Sequence, residues 1–92
     1  MNSIMQDEKI CYICGTTRHL EKHHVMNGAN RKKADKDGLW VWLCRDCHTG
    51  HRGVHQNAGL MRELKAQAQA IYEYDHSHEE WMKEYGRNYR NE

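Results

Sequence analysis

Leu39-Trp40-Val41-Trp42-Leu43-Cys44-Arg45-Asp46-Cys47-His48 is the stretch on which the fold turns. Leu39 to Leu43 is crowded with β-branched and aromatic residues and is apolar on both faces, which predicts a strand covered on two sides. The strand runs straight into Cys44-x-x-Cys47. The same spacing occurs upstream at Cys11-x-x-Cys14, before Gly15, and the two pairs use all four cysteines of the chain. A two-residue gap lets both sulfurs of one turn reach a single ion, and a tetrahedral zinc takes four thiolates. Cys11, Cys14, Cys44 and Cys47 are therefore the expected ligands of a structural zinc, with two disulfides or four unrelated buried thiols as the alternative. Such an ion has no open coordination position, so chemistry has to come from other residues.

Outward from this stretch, His19 to Met26 reads as a second strand ending at Val25, and Asn27 to Gly38 (NGANRKKADKDG) as a polar loop between glycines. From Ala58 to about Tyr74, Leu60, Met61, Leu64, Ala68, Ile71 and Tyr72 recur at helical spacing and predict an amphipathic helix. Ser77 followed by Glu80 is a capping-box signature opening a second helix, with Trp81, Met82 and Tyr85 on one face and Gly86 as its stop. Trp40, Trp42 and Trp81 are expected to pack in the core rather than to stack on bases. Without prolines, repeats or low-complexity tracts, the expectation is one domain over residues 1–92. It comprises a flexible, polar stretch at 1–9, a zinc-bound core at 10–57 and a helical extension at 58–92.

A chain of 92 residues buries little apolar surface for its length and needs a staple, which four cysteines can supply. Met1 to Lys9 (MNSIMQDEK) has no basic region leading into an apolar one, and no stretch approaches the ~20 apolar residues of a membrane span. A cytoplasmic protein with no membrane partner is the expectation, and reduced thiols there favour metal over disulfide. The formal net charge is +1, but its distribution is uneven. Arg18 to Lys36 holds six basic residues against Glu21 and Asp35, whereas Leu60 to Glu92 holds five basic against seven acidic. A run like the first is often only a solvated loop; here it sits beside the histidines.

Six of the eight histidines (His19, His23, His24, His48, His51 and His55) fall between residues 19 and 55. His23-His24 lies at the end of the His19 to Met26 strand, His48 follows the last cysteine, and His51-x-x-x-His55 has the spacing that puts two side chains on one face of a helix. Neutral imidazole binds divalent metals and can take a proton from water near pH 7.

Cys11-x-x-Cys14, His23-His24-Val25 and Leu43-Cys44-x-x-Cys47-His48 together resemble the zinc-supported HNH endonucleases, over about residues 10–57. Gly38 to Cys44, Gly53 to His55 and Gly86 to Tyr89 are similar to segments of small HNH-like proteins of bacteriophages and prophages. The resemblance implies a small α+β zinc-bound fold with a ββα-metal (HNH-like) core followed by two C-terminal helices. It implies a metal-dependent hydrolase cutting DNA phosphodiester bonds, in a bacterial or phage-infected cell, to leave a 5′-phosphate and a 3′-hydroxyl. His24 would be the general base, and His23 and His48 would be ligands of a second, catalytic divalent cation (Mg²⁺, Mn²⁺ or Zn²⁺), with His55 the candidate third ligand. Arg31, Lys32, Lys33 and Arg52 would hold flanking phosphates of the DNA. The family's middle asparagine has no counterpart where it would fall, in Leu39 to Trp42; Asn27 and Asn30 are the nearest asparagines in the preceding loop. Two other readings remain: a non-catalytic zinc-stabilised DNA-binding or phage recombination accessory module, and a structural zinc adaptor whose helices bind a protein.

Overall fold

A computed structural model of the chain describes residues 2–51 and 53–90. Strands β1 (Leu20–His24) and β2 (Trp40–Cys44) pair antiparallel, with Leu20 opposite Cys44 and His24 opposite Trp40. Directly opposed residues share a face of the sheet. His23 therefore lies beside Val41, and Glu21 beside Leu43, on the side where both aliphatic residues are fully buried. β1 begins after His19, whose φ of 54° is left-handed, and stops at His24.

The stretch expected as a loop is instead largely helical. After a 3-10 turn at Gly28–Asn30, helix α1 spans Arg31–Asp37. Its polar composition hides the reason: Ala34 is completely buried, and the chain stops at Gly38 in the left-handed region, whose N–H reaches back to the Ala34 and Asp35 carbonyls. Packing has overridden a weak local signal. α1 is also held from outside, because Tyr85 Oη donates to Asp37 Oδ2 at 2.6 Å and Lys33 Nζ donates to the Glu84 carbonyl at 2.8 Å.

Helix α2 (Arg45–His48) is a single turn carrying Cys47 and His48, and a 3-10 turn at Val54–Gln56 carries His55. Helix α3 (Ala58–Asp75) starts at Asn57, whose side chain accepts the Leu60 N–H, and buries Leu64, Ala68, Gln69 and Tyr72. Helix α4 (His78–Tyr85) has the expected reciprocal capping box between Ser77 and Glu80 and ends at Gly86. Gln69, fully buried, is satisfied by Glu73, Asn88 and the Tyr89 N–H, while Trp81 Nε1 donates to the Arg87 carbonyl, so the last described residues fold back over α3 and α4.

Residues expected to fray at the start of the chain line β2 instead. The Ile4 N–H donates to the Gly38 carbonyl, the Trp42 N–H donates to Gln6 Oε1 at 2.6 Å, and Met5 is buried. On the outer edge of β2, Ser3 Oγ donates to the Trp40 carbonyl and the Tyr12 N–H to the Trp42 carbonyl, so backbone groups there find partners. Leu64, Ala68, Tyr72, Trp81 and Tyr85 belong to the same buried cluster as Val41 and Leu43, so the C-terminal helices complete the core rather than append to it. The result is a small α+β domain with a two-stranded sheet and four α-helices among the described residues. No described helix is long and apolar enough to cross a membrane.

Gly38 and Gly86 both have positive φ, 77° and 75°, but differ in their surroundings. A Cβ at Gly38 would stand 2.5 Å from the Asn2 carbonyl oxygen, whereas one at Gly86 would meet nothing within 4 Å. Gly86→Ala should cost about 1 kcal/mol, the left-handed penalty alone. Gly38→Ala should cost more, because the N-terminal segment must also be displaced. Urea denaturation midpoints of the two variants test this order.

Candidate metal centres

The four cysteine sulfurs lie within 4.8 Å of one another, and none is paired in a disulfide. Cys14 Sγ and Cys44 Sγ are 3.7 Å apart, close to the ~3.8 Å edge of a tetrahedron with zinc–sulfur bonds of about 2.3 Å. Local geometry builds each half. In the first pair the Gly15 N–H returns to the Cys11 carbonyl and the Cys11 N–H to the Thr16 carbonyl; the Tyr12 N–H then joins that turn to the Trp42 carbonyl on β2. Burial pushes the Cys11 thiol up, but N–H groups of Cys14, Cys44 and Ile13 outweigh it and bring it down to about 6. Burial and the neighbouring sulfurs push the Cys47 thiol far up. Four thiolates cannot crowd together without a compensating cation, and this group can hold a metal ion such as zinc.

A second cluster forms beneath the sheet. His23, His48 and His55 place one ring nitrogen each within 4.8 Å of one another. Each comes from a different element: the buried face of β1, the single turn of α2 and the 3-10 turn before α3. Glu21 Oε1 lies 2.8 Å from His48 Nδ1. A carboxylate only accepts, so Nδ1 carries the hydrogen and the His48 lone pair sits on Nε2. That atom faces His55 Nε2 at 3.1 Å, near the ~3.3 Å edge of a tetrahedron with metal–nitrogen bonds of about 2.0 Å. A donated hydrogen from His55 would account for that pair alone. It would leave His23 Nε2, completely buried, as a polar atom with no hydrogen-bond partner. A cation bound by all three lone pairs satisfies every one of these atoms. Burial, reinforced by His48, His55, His24 and Lys65, pushes His23 down to about 4 and keeps it neutral, the form that binds metal.

No protein-family model, curated protein or solved structure matches this chain.

His24 completes the neighbourhood. Adjacent residues on a regular strand face opposite ways, but His24 is the last residue of β1, and both it and His23 line one cleft of about 250 Å³ with Lys22, Asn27, Arg31, His48 and His55. Its Nε2 is 3.0 Å from Asp35 Oδ1. Lys32 lines the adjoining cleft with Lys22, His24, Arg31 and Asp35. Lys33 turns away to the Glu84 carbonyl, and Arg52 lies outside the described residues. His51 sits exposed in a turn before the 3-10 segment begins, so the i to i+4 spacing with His55 does not lie on one helix. Asn30 is the N-cap of α1.

Glu21 and Asp35 are the side chains that pattern reading missed. Glu21 had a signal, since two residues before His23 on a strand means the same face. Asp35 had none, because its approach to His24 depends on a helix hidden in a polar stretch.

Stripping metal with a strong chelator should collapse the near-ultraviolet circular dichroism, and Cys14→Ser or Cys44→Ser should do the same. Retention of a cooperative, unshifted melt after removal of the metal would count against a structural zinc.

The titration of His23 predicts a pH dependence with a definite sign. Its folded pKa of about 4 lies below the ordinary 6.5, so the unfolded chain binds more protons between those values. The resulting contribution, at most about 3 kcal/mol, is fully present above pH 6.5 and lost as pH falls towards 4. Denaturation midpoints of the protein without a second metal should fall over that window, and His23→Asn should fall less steeply.

Proposed function

We propose that the protein is a metal-dependent endonuclease of the HNH type, hydrolysing DNA phosphodiester bonds to a 5′-phosphate and a 3′-hydroxyl. The observation that carries this reading is the convergence of His23, His48 and His55 around an orphaned, buried imidazole nitrogen, with His24 on the same cleft. The order of parts along the chain, a strand ending in two histidines, a second strand, a cysteine knuckle and a histidine on the following turn, resembles that of a ββα-metal core and supports the reading. In this chain the helix of that core would be divided between α2 and the 3-10 turn before α3.

His23, His48 and His55 would hold a divalent ion through three nitrogens and would leave it able to take a phosphate oxygen or water. An all-nitrogen donor set suits zinc and related transition ions better than magnesium. A cation held there would offset charge building on the phosphate and the leaving oxygen. His24 takes the proton of the attacking water. Arg31 and Lys32, on the cleft rim, hold flanking phosphates. Glu21 keeps the His48 ring in the tautomer that presents Nε2.

A non-catalytic DNA-binding module is the second reading, favoured by the absence of an asparagine from Leu39 to Trp42, where the HNH pattern has one.

Plasmid nicking across titrations of magnesium, manganese and zinc separates the two. His24→Ala should lower cleavage by ~10²–10⁴-fold while leaving metal binding intact. His23→Ala should weaken binding of the second metal, so that activity partly recovers at higher metal concentration. Equal activity in wild type and both variants, or none in the wild type with any of the three metals, would leave the binding module as the better account.

A further inference from the structure

Asp35 reaches the site from outside the ββα pattern, on a helix inserted between the two strands. Its Oδ1 lies 3.0 Å from His24 Nε2 and 2.7 Å from Lys22 Nζ. We propose that Asp35 is the positioning residue for His24, fixing the ring so that Nε2 carries the hydrogen and Nδ1 presents its lone pair to the cleft. The inference rests on the nuclease reading, in which His24 is the base.

The tautomer follows from the partner. The Lys22 hydrogen bond, with that of His24, pulls the Asp35 carboxyl down to about 2, so it is ionised and can only accept. His24 Nε2 must then be the donor, and in the neutral ring the free lone pair falls on Nδ1. Orientation needs the same contact. His24 is the final residue of β1; the Val25 N–H still pairs with the Leu39 carbonyl and holds the backbone, so what the Asp35 contact fixes is the ring. The tether is itself anchored. α1 is pinned beneath by fully buried Ala34, at its C-terminal end by Gly38, and from α4 by Tyr85 on Asp37 and the Glu84 carbonyl on Lys33. Through these contacts α4 takes part in the site without touching it.

Substitution of Asp35 separates positioning from a plain ion pair with Lys22. Asp35→Ala removes the acceptor; Asp35→Asn removes the charge but keeps an oxygen. Both neighbours of that atom are donors, so the amide oxygen rather than its nitrogen turns towards them. Single-turnover cleavage by the zinc-loaded protein should fall by ~10–100-fold in Asp35→Ala, with KM and the second-metal titration unchanged, and should largely recover in Asp35→Asn. Long-range ¹H–¹⁵N spectra give a readout independent of activity: His24 should show the Nε2–H tautomer in the wild type and lose its fixed tautomer in Asp35→Ala. An active wild type whose rate is unaffected by Asp35→Ala, equal loss in the alanine and asparagine variants, or an Nδ1–H tautomer in the wild type would each overturn the proposal. A wild type inactive with every divalent metal would instead overturn the nuclease reading, and any catalytic role for Asp35 with it.

Discussion

Four sulfurs meet within 4.8 Å, and a metal ion bound by them would hold the rest of this structure in register. Such an ion would tie residues 11–14 to residues 44–47, and every residue between would belong to the loop so closed. Bringing distant segments together costs chain entropy that grows only slowly with loop length, and a metal bound by four thiolates can offset it more effectively than the modest apolar core of a short chain. The second pair also sets the position of the histidine cluster, because Cys47 and His48 share the single turn of α2. Whatever fixes the sulfurs therefore fixes one imidazole of the other site, one residue away.

The sheet register does the complementary work. With Leu20 opposite Cys44, the cysteine knuckle and the start of β1 lie together, and strand alternation then puts Glu21 and His23 on the buried face. Three imidazoles grouped from buried His23 out to exposed His55 would repel one another if charged. Burial resolves the conflict by holding His23 neutral, and carboxylates stand only at the margins, Glu21 on His48 and Asp35 on His24. The fold thus supplies a nitrogen-rich pocket with its acidic groups arranged to orient rings rather than to occupy the ligand positions.

The basic stretch divides by position rather than by charge. Lys22 lies over the Trp40 ring and on Asp35, Lys33 caps the end of α4, and only Arg31 and Lys32 of the α1 cations line the clefts. A positive run in a sequence measures total charge. How much of it faces a ligand depends on which side chains the helix spends on its own packing.

The features legible in the sequence were those carried by local pattern. Paired cysteine spacing marked the thiol cluster, the apolar run of Leu39 to Leu43 marked β2 to within a residue, and helical periodicity with the Ser77–Glu80 cap marked α3 and α4. Each depends on neighbours within a few residues, where backbone geometry alone relates side chains. Tertiary structure alone decided the helix α1, whose buried Ala34 is surrounded by charge in sequence, and the docking of Met5 and Gln6 along β2. It also decided that Asp35 meets His24. These are contacts between segments whose approach is set by packing and by the closed thiol loop, and no periodicity within either segment encodes the distance between them.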